Sequence, residues 1–351
     1  VDMVAGDSTA WTELGALLRA SGYTNESVRG RLGVRTAAER FLSNIGRYSL
    51  LHLGDLQKSS DPLSVISRLF LLSGRIPRKE LDGLDERLSS LLRRLALVEP
   101  VEGDPDAVRG TVQITPYNGR YFLSDQLFEN LLHDFVERED HAHLCMPPHA
   151  SSLELFRTLR KPDSATSFLD IGCGTGCQSI LCAGGYEVMA GFDSSARCVH
   201  FAKINAALNG VRAEYRVDTW ESFSPGEPYD HVAFNPPATD AAFSFINSRL
   251  AEFLAVGGLA QIHVVIEVLA DDRTWQGAVE RQLTHPGDWR IEATLHRDSP
   301  FSLPPEALHS RFLPDDTFLA GHSMKWVDHI RSLHARKVSE VVCATLDVTY
   351  R

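Results

Sequence analysis

Seven consecutive positions, Asp170-Ile171-Gly172-Cys173-Gly174-Thr175-Gly176, hold one carboxylate and three glycines. An apolar stretch, SFLDIG, leads into them, and helix-forming CQSIL follows. Glycines there let the main chain turn sharply and let a ligand approach the backbone. A second carboxylate, Asp193, closes the next apolar stretch, YEVMAGFD, 23 residues beyond Asp170. An acid at that position accepts hydrogen bonds from the two hydroxyls of a ribose. The glycine spacing is G-x-G-x-G, not the G-x-G-x-x-G of dinucleotide sites, and an acid stands directly ahead of it.

That acid decides the charge of the ligand. A bare helix N-terminus suits pyrophosphate, whereas a carboxylate beside the turn repels phosphate and attracts a cation. The pattern therefore predicts a nucleoside bearing positive charge, which S-adenosylmethionine carries as an ammonium and a sulfonium. Asp170, Gly172, Gly174, Gly176, Asp193 and Ser194 are the expected cofactor-binding residues. Asp218, closing the following strand with Thr219 after it, is expected to accept from the adenine amine. Asn235 is expected to face both cofactor and acceptor.

A second constellation, Asn235-Pro236-Pro237-Ala238, ends the stretch PYDHVAFNPP. Two prolines beyond a strand end hold an extended, stiff main chain. The Asn235 side-chain oxygen and the Pro236 carbonyl can then accept from one amino group and aim its lone pair at a methyl carbon. Asn235, Pro236 and Pro237 are thus expected at the reacting centre. A hydroxyl acceptor needs a base as well, for which Asp240 and His149 are the candidates. His263, alternating along an apolar strand, reads first as a hydrogen-bonded core histidine. Six cysteines are present, with no C-x-x-C pair among them, so no metal site is expected and buried reduced thiols are.

From residue 151 onward, helical and strand-like stretches alternate, which demands a mostly parallel sheet covered on both faces. Such sheets bind ligands at the carboxyl ends of their strands. A helix over AAFSFINSRLAEFLAV is expected to stop at Gly257-Gly258, before the strand LAQIHVVIEVL. The first part of the chain reads differently. Helices are expected over residues 9–60, over DPLSVISRLFLLSG with Asp61 capping and Pro62 in the first turn, and over RKELDGL and DERLSSLLRRLALVEP. A polar loop, EGDPDAVRG, then leads to a hairpin across Asn118-Gly119. Helices followed by a hairpin suggest a winged helix, a fold that often binds DNA. Pro147-Pro148 breaks the chain, giving an expected helical, winged-helix-like domain at 1–148 and a catalytic domain at 149–351. Residues 299–337, with Phe301, Phe312, Phe318 and Trp326, form an expected lid over the acceptor pocket.

Charge and hydropathy narrow the partners. The chain has 351 residues and a net charge of −11, and both halves are acidic: 17 Lys and Arg against 21 Asp and Glu up to residue 148, 18 against 25 beyond. Neither half is a basic module for nucleic acid. No stretch reaches the ~18–20 apolar residues of a membrane span, and no secretory signal is evident, so a cytoplasmic protein is expected. The oligomeric state is left open.

FLDIGCGTG, GFDSS and YDHVAFNPPA, in this order, resemble the class I S-adenosylmethionine-dependent methyltransferases, in particular the small-domain group with an N-P-P-aromatic motif. FAKINAALNGV is similar to that group's helix-to-loop connection. The resemblance implies a Rossmann-like sheet of seven strands, one of them antiparallel. It also implies that Asp170, Gly172, Gly174, Gly176 and Asp193 line the cofactor and that Asn235, Pro236 and Pro237 face the acceptor. Ala238 departs from the aromatic that stacks on a flat acceptor, a contact of ~1–3 kcal/mol. The leading expectation is methyl transfer to a nitrogen of a small molecule, as in tailoring of a secondary metabolite. The alternatives are a glutamine-type amide in a protein or peptide, a hydroxyl acceptor, an RNA or DNA base, and a DNA-binding regulator that responds to S-adenosylmethionine without catalysis.

Overall fold

A computed structural model describes residues 7–131, 135–138, 143–285, 287–305, 308 and 320–350. Among the described residues from 149 onward lie seven strands: β1 (Ser167–Ile171), β2 (Val188–Asp193), β3 (Glu214–Val217), β4 (Tyr229–Phe234), β5 (Leu254–Leu269), β6 (Trp289–Leu295) and β7 (Val338–Tyr350). They form one sheet in the order β3-β2-β1-β4-β5-β7-β6. The pairs β2–β3, β1–β4 and β4–β5 are parallel, while β7 runs antiparallel to both β5 and β6. This is the Rossmann-like sheet with one reversed strand that the resemblance implies. Phe168, Leu169 and Ile171 of β1 are all buried, as expected for a strand covered on both faces. The helices used below are α1 (Ala150–Thr158), α2 (Cys177–Leu181), α3 (Ala196–Leu208) and α4 (Thr239–Ser248).

Two compact units emerge from the contacts. One comprises residues 1–153 with 172–219, the other 154–171 with 220–351.

The first unit begins with helices at Ser8–Ala20, Asn25–Arg31, Ala38–Ser43, Ile45–Leu56, Pro62–Ile66, Arg78–Asp82 and Glu86–Arg94. Asp61 caps the helix that starts at Pro62 by accepting from the Ser64 N–H, as expected, and the helix continues into a π turn at Ser67–Leu71. The stretch read as a polar loop is a strand. Asp104–Gly110 lies between Arg75–Pro77 and Val98–Val101 in a three-stranded sheet. Its acidic half is exposed, and Ala107, Val108 and Gly110 turn inward; the run of three charged or proline positions hid the buried half. The expected hairpin pairs Gln113–Tyr117 with Arg120–Ser124. Asn118 and Gly119, at φ 48° and 72°, supply the two positive torsions of its turn.

Two asparagines, Asn205 on α3 and Asn209 just beyond its end, bind that hairpin edge. Asn209 accepts from the Tyr121 N–H at 2.9 Å and donates to the Tyr121 carbonyl at 2.7 Å. Asn205, one turn earlier, does the same for Leu123 at 2.7 and 2.9 Å. An otherwise unpaired strand edge is thereby satisfied. Helix Ser8–Ala20 also packs on α3, so closely that a Cβ on Gly15 would overlap the Leu208 carbonyl.

In the second unit, α4 ends at Ser248, a short helical turn follows at Leu250–Phe253, and β5 starts at Leu254. The strand thus runs through Gly257-Gly258 instead of beginning after them, with Gly257 taking φ 81° at its edge. Of the expected lid, residues 306, 307 and 309–319, including Phe312 and Phe318, lie outside the described residues. Phe301 is exposed, and a helix spans Ala320–Ala335. Among the described residues, no helix is long and apolar enough to cross a membrane.

Candidate active site

The glycine turn lies in the first unit, directly after β1. Gly172, Gly174 and Gly176 have φ of 61°, 53° and 75°, a left-handed run that side chains other than glycine resist. Behind the turn, a Cβ on Gly176 would sit 2.8 Å from Tyr215 Oη, which shares a 2.7 Å hydrogen bond with Ser179. In front of Gly174 there is open space. Gly176 is therefore glycine for packing as well as conformation, and Gly174 for conformation.

Asp193, the last residue of β2, holds this turn. Its Oδ2 accepts from the Gly174 N–H at 2.9 Å, and its Oδ1 from the Ser195 N–H at 2.8 Å. A carboxylate offers about four acceptor positions, so each oxygen keeps capacity for a further donor. Ser194 is exposed beside it. Asp218 follows the end of β3. Its N–H reaches the Asp193 carbonyl at 3.1 Å, and its Oδ1 accepts from the Thr219 N–H at 2.9 Å. His149 accepts the first helical bond of α1 through its carbonyl, and its Nδ1 lies 3.4 Å from Ser151 Oγ.

Asn205 is a residue that sequence reasoning passed over. Besides gripping Leu123, its amide donates to the Thr175 carbonyl at 3.0 Å, inside the glycine turn. It therefore ties the turn to the N-terminal hairpin. The available signal was a fully buried asparagine in the middle of an otherwise apolar helix face.

The second unit holds Asp170 and the Asn-Pro-Pro segment. Asp170 is buried near the carboxyl end of β1, opposite Ala233 of β4. Asn235 and Pro236 are half-buried directly after β4, while Pro237, Ala238 and Asp240 are exposed. Ala238 is extended, at φ −150° and ψ 149°. Thr239, another residue not singled out beforehand, anchors the segment. Its hydroxyl donates to the Val265 carbonyl at 2.9 Å and accepts from the Val265 N–H at 3.0 Å. Asp240 stands in the first turn of α4, where its charge also favours the helix N-terminus. Asp170, Asp193, Asp218 and Asn235 thus each stand at or just beyond the carboxyl end of a different strand, the end at which such sheets bind ligands.

These donors and acceptors fit S-adenosylmethionine. Within the first unit, acids at two strand ends, Asp193 and Asp218, are of the kind that suits a ribose diol and an exocyclic amine. The space before Gly174 admits a ligand against the backbone. Among the described residues, the buried Gln178 Oε1 on α2 finds no hydrogen-bond partner, which adds one more acceptor near the turn.

Comparison with known proteins agrees. Residues 149–257 match the family model described as methyltransferase small domain. Residues 149–257 are an S-adenosylmethionine-dependent methyltransferase domain. The domain's curated relatives include a ubiquinone biosynthesis O-methyltransferase of Chelativorans sp. (strain BNC1), 32% identical over 114 residues, or 31% of this chain and 44% of that protein. Another of that name, from Brucella anthropi, is 31% identical over 114 residues, 31% of this chain and 45% of its own length. The chain thus spans less than half the length of these relatives. A solved methyltransferase from Thiobacillus denitrificans, in complex with S-adenosyl-L-homocysteine, is similar at 16% identity and a TM-score of 0.36, over 61% of this chain and 95% of its own.

The arginines of helix Glu86–Arg94, in the region expected to be winged-helix-like, are paired with acids. Arg87 pairs with Glu13 at 2.6 Å, Arg93 with Asp82, and Arg94 with Asp7 at 3.6 Å. Each cation already faces a carboxylate that would repel a phosphate.

Proposed function

We propose that the whole chain is an enzyme that moves the methyl group of S-adenosylmethionine to a nitrogen atom of a small molecule, in the manner of a tailoring step in secondary metabolism. The observation that carries this reading is the stiff Asn235-Pro236-Pro237 segment, clamped to β5 by Thr239. It offers a side-chain oxygen and a carbonyl directly after a strand end. S-adenosylmethionine supplies an electrophilic methyl on sulfur, and the transfer is an in-line displacement governed by alignment. Asn235 and the Pro236 carbonyl would accept the two N–H bonds of an amine and fix its lone pair along the reaction axis. Asp170 and Asp193 would hold the cofactor's amino group and ribose, and Asp218 its adenine. The extra proton on the methylated nitrogen leaves to solvent, for which the exposed Asp240 is a ready acceptor.

An exposed alanine at 238 gives a flat base no platform, and a net charge of −11 disfavours nucleic acid. Both support a small acceptor. Six free thiols suit a reducing, cytoplasmic setting. The relatives' O-methyltransferase names favour a second reading, a hydroxyl acceptor, which would use His149 or Asp240 as base.

The test is to incubate the full chain with methyl-labelled S-adenosylmethionine and separate small-molecule, protein and RNA fractions of a cell extract. Label is expected in a small molecule, on nitrogen by NMR of the product. Label on oxygen establishes the second reading, and label in protein or RNA alone overturns both.

A further inference from the structure

One face of the second unit's sheet carries a row of polar side chains beneath the C-terminal half of α1. His263 on β5 lies opposite Thr345 of β7, and Cys343 is two residues along the same strand. Two residues along a strand keep the same face, so His263 and Cys343 are diagonal neighbours. Glu154 reaches them from α1. The three donor atoms are close: His263 Nε2 to Glu154 Oε2 is 3.1 Å, Cys343 Sγ to Glu154 Oε2 is 3.4 Å, and Cys343 Sγ to His263 Nε2 is 3.1 Å. All three residues are buried. Nothing in the methyl-transfer reading uses them.

We infer that Glu154, His263 and Cys343 bind a divalent cation of borderline softness, zinc above the others. The donor set is one carboxylate oxygen, one imidazole nitrogen and one sulfur, a mixture that suits zinc and neither magnesium nor calcium. Tetrahedral zinc, with bonds of ~2.0–2.3 Å, sets its ligands ~3.3–3.7 Å apart. The Cys343–Glu154 separation of 3.4 Å already falls in that range, and the two separations of 3.1 Å would open by a few tenths of an ångström. Charge agrees as well. A thiolate and a carboxylate balance a dication, so the buried group becomes neutral when loaded, whereas two uncompensated anions there would be costly. Zinc binds cysteine as its thiolate. Binding therefore releases the thiol proton to solvent as the metal–sulfur bond forms.

Three protein ligands leave a fourth position for water. The surroundings are those of a supported site. Ser299 donates to Glu154 Oε2 at 3.1 Å, and the Cys343 N–H donates to Ser302 Oγ at 2.9 Å. His296 stacks on His263 with ring centroids 5.8 Å apart and bonds to Thr345 at 2.9 Å. Groups that orient ligands in this way shift metal affinity about 10–100-fold. Glu154 and His263 are 109 positions apart, and His263 and Cys343 are 80 apart, so no spacing rule reveals them and the sequence reading expected no metal.

The experiment measures metal in the full chain, purified without chelator and dialysed against micromolar zinc. Plasma emission is expected to find about one zinc per chain. Cobalt in its place is expected to show the near-ultraviolet charge-transfer band of a cobalt–thiolate bond. Cys343→Ser should abolish that band and weaken zinc binding at least about tenfold, with an unchanged far-ultraviolet spectrum. Ser299→Ala should weaken binding less while leaving the band in place. If Cys343→Ser does not fold, the cobalt band of the native chain, lost on Glu154→Gln, carries the test. The inference is overturned if the native chain takes up under a tenth of an equivalent, shows no thiolate band, or binds equally well without Cys343 or Glu154. The three side chains would then form a hydrogen-bonded knot and nothing more. None of these readouts depends on methyl transfer, so this inference and the proposed function fail separately.

Discussion

The glycine turn of the first unit and the polar row under α1 in the second are both built from side-chain hydrogen bonds, yet they work in opposite ways. In the turn, Asp193 is half-exposed and spends its carboxylate on two backbone N–H groups close in sequence, leaving capacity toward a ligand. In the row, side chains far apart in sequence satisfy one another away from water. His231 bonds to Gln261, Gln261 to Asp347 and the Thr158 carbonyl, and Glu154 to His263, Ser299 and Cys343. A site that must receive a ligand keeps acceptors open. A network inside the core has to close on itself or on an ion, because an unpaired polar group there is expensive.

The largest effect that separates the two is expected from Asp193→Ala. The substitution strands the Gly174 and Ser195 N–H groups and removes the acceptor proposed for the ribose. Charge-assisted bonds are worth ~1.5–3 kcal/mol each, so affinity for S-adenosylhomocysteine by calorimetry should fall on the order of 10²–10³-fold. Affinity within about threefold of the native value would mean that the turn does not receive the cofactor. The next effect belongs to the row. Burial drives the His231 imidazole down to about 4, partly offset by its hydrogen bond to Gln261. The unfolded chain then binds a proton at His231 below pH ~6.5 that the folded chain refuses. This contribution to stability is therefore complete above pH ~6.5 and is lost as the pH falls toward 4, about 3 kcal/mol in all. Urea unfolding at pH 7 and pH 4.5 should show His231→Gln losing less stability than the native chain over that interval. Equal losses would show that His231 is charged in the fold.

The same contrast explains what could be read beforehand. The turn was legible because its parts are contiguous: Asp170 to Gly176 is one stretch, and Asp193 ends the next strand. The mostly parallel sheet followed from alternation, since most of its strands are short apolar runs, whereas their order in the sheet did not. Strand Asp104–Gly110 was missed because three of its first residues are acidic or proline and only its second half packs. β5 was cut short because Gly257-Gly258 read as a helix stop. The buried row escaped altogether. Glu154, His263 and Cys343 each resemble an ordinary core or surface residue until β5 and β7 pair, and Asn205 looks like one polar interruption of α3 until the hairpin docks on it.

Gly174 and Gly176 provide the finest test of that contrast, because they differ by two positions and share a left-handed backbone. Alanine at either costs ~1 kcal/mol or more for its torsions. At Gly176 the new methyl also meets Tyr215 Oη at 2.8 Å. Tyr215 is buried and held by Ser179 at 2.7 Å, so it yields little. Overpacking of this kind adds on the order of 1 kcal/mol. Gly176→Ala should therefore lower the thermal midpoint by roughly 4–8 °C, for about 2 kcal/mol, while the folded fraction keeps its affinity for S-adenosylhomocysteine. At Gly174 the methyl enters open space, so about half that thermal loss is expected, and the damage should appear in binding, where the methyl occupies room meant for the ligand. Thermal scans and calorimetry on the two variants read both quantities. If Gly174→Ala leaves affinity untouched, the ligand does not approach that face of the turn. If Gly176→Ala is the variant that loses affinity, the roles assigned to the two glycines are reversed.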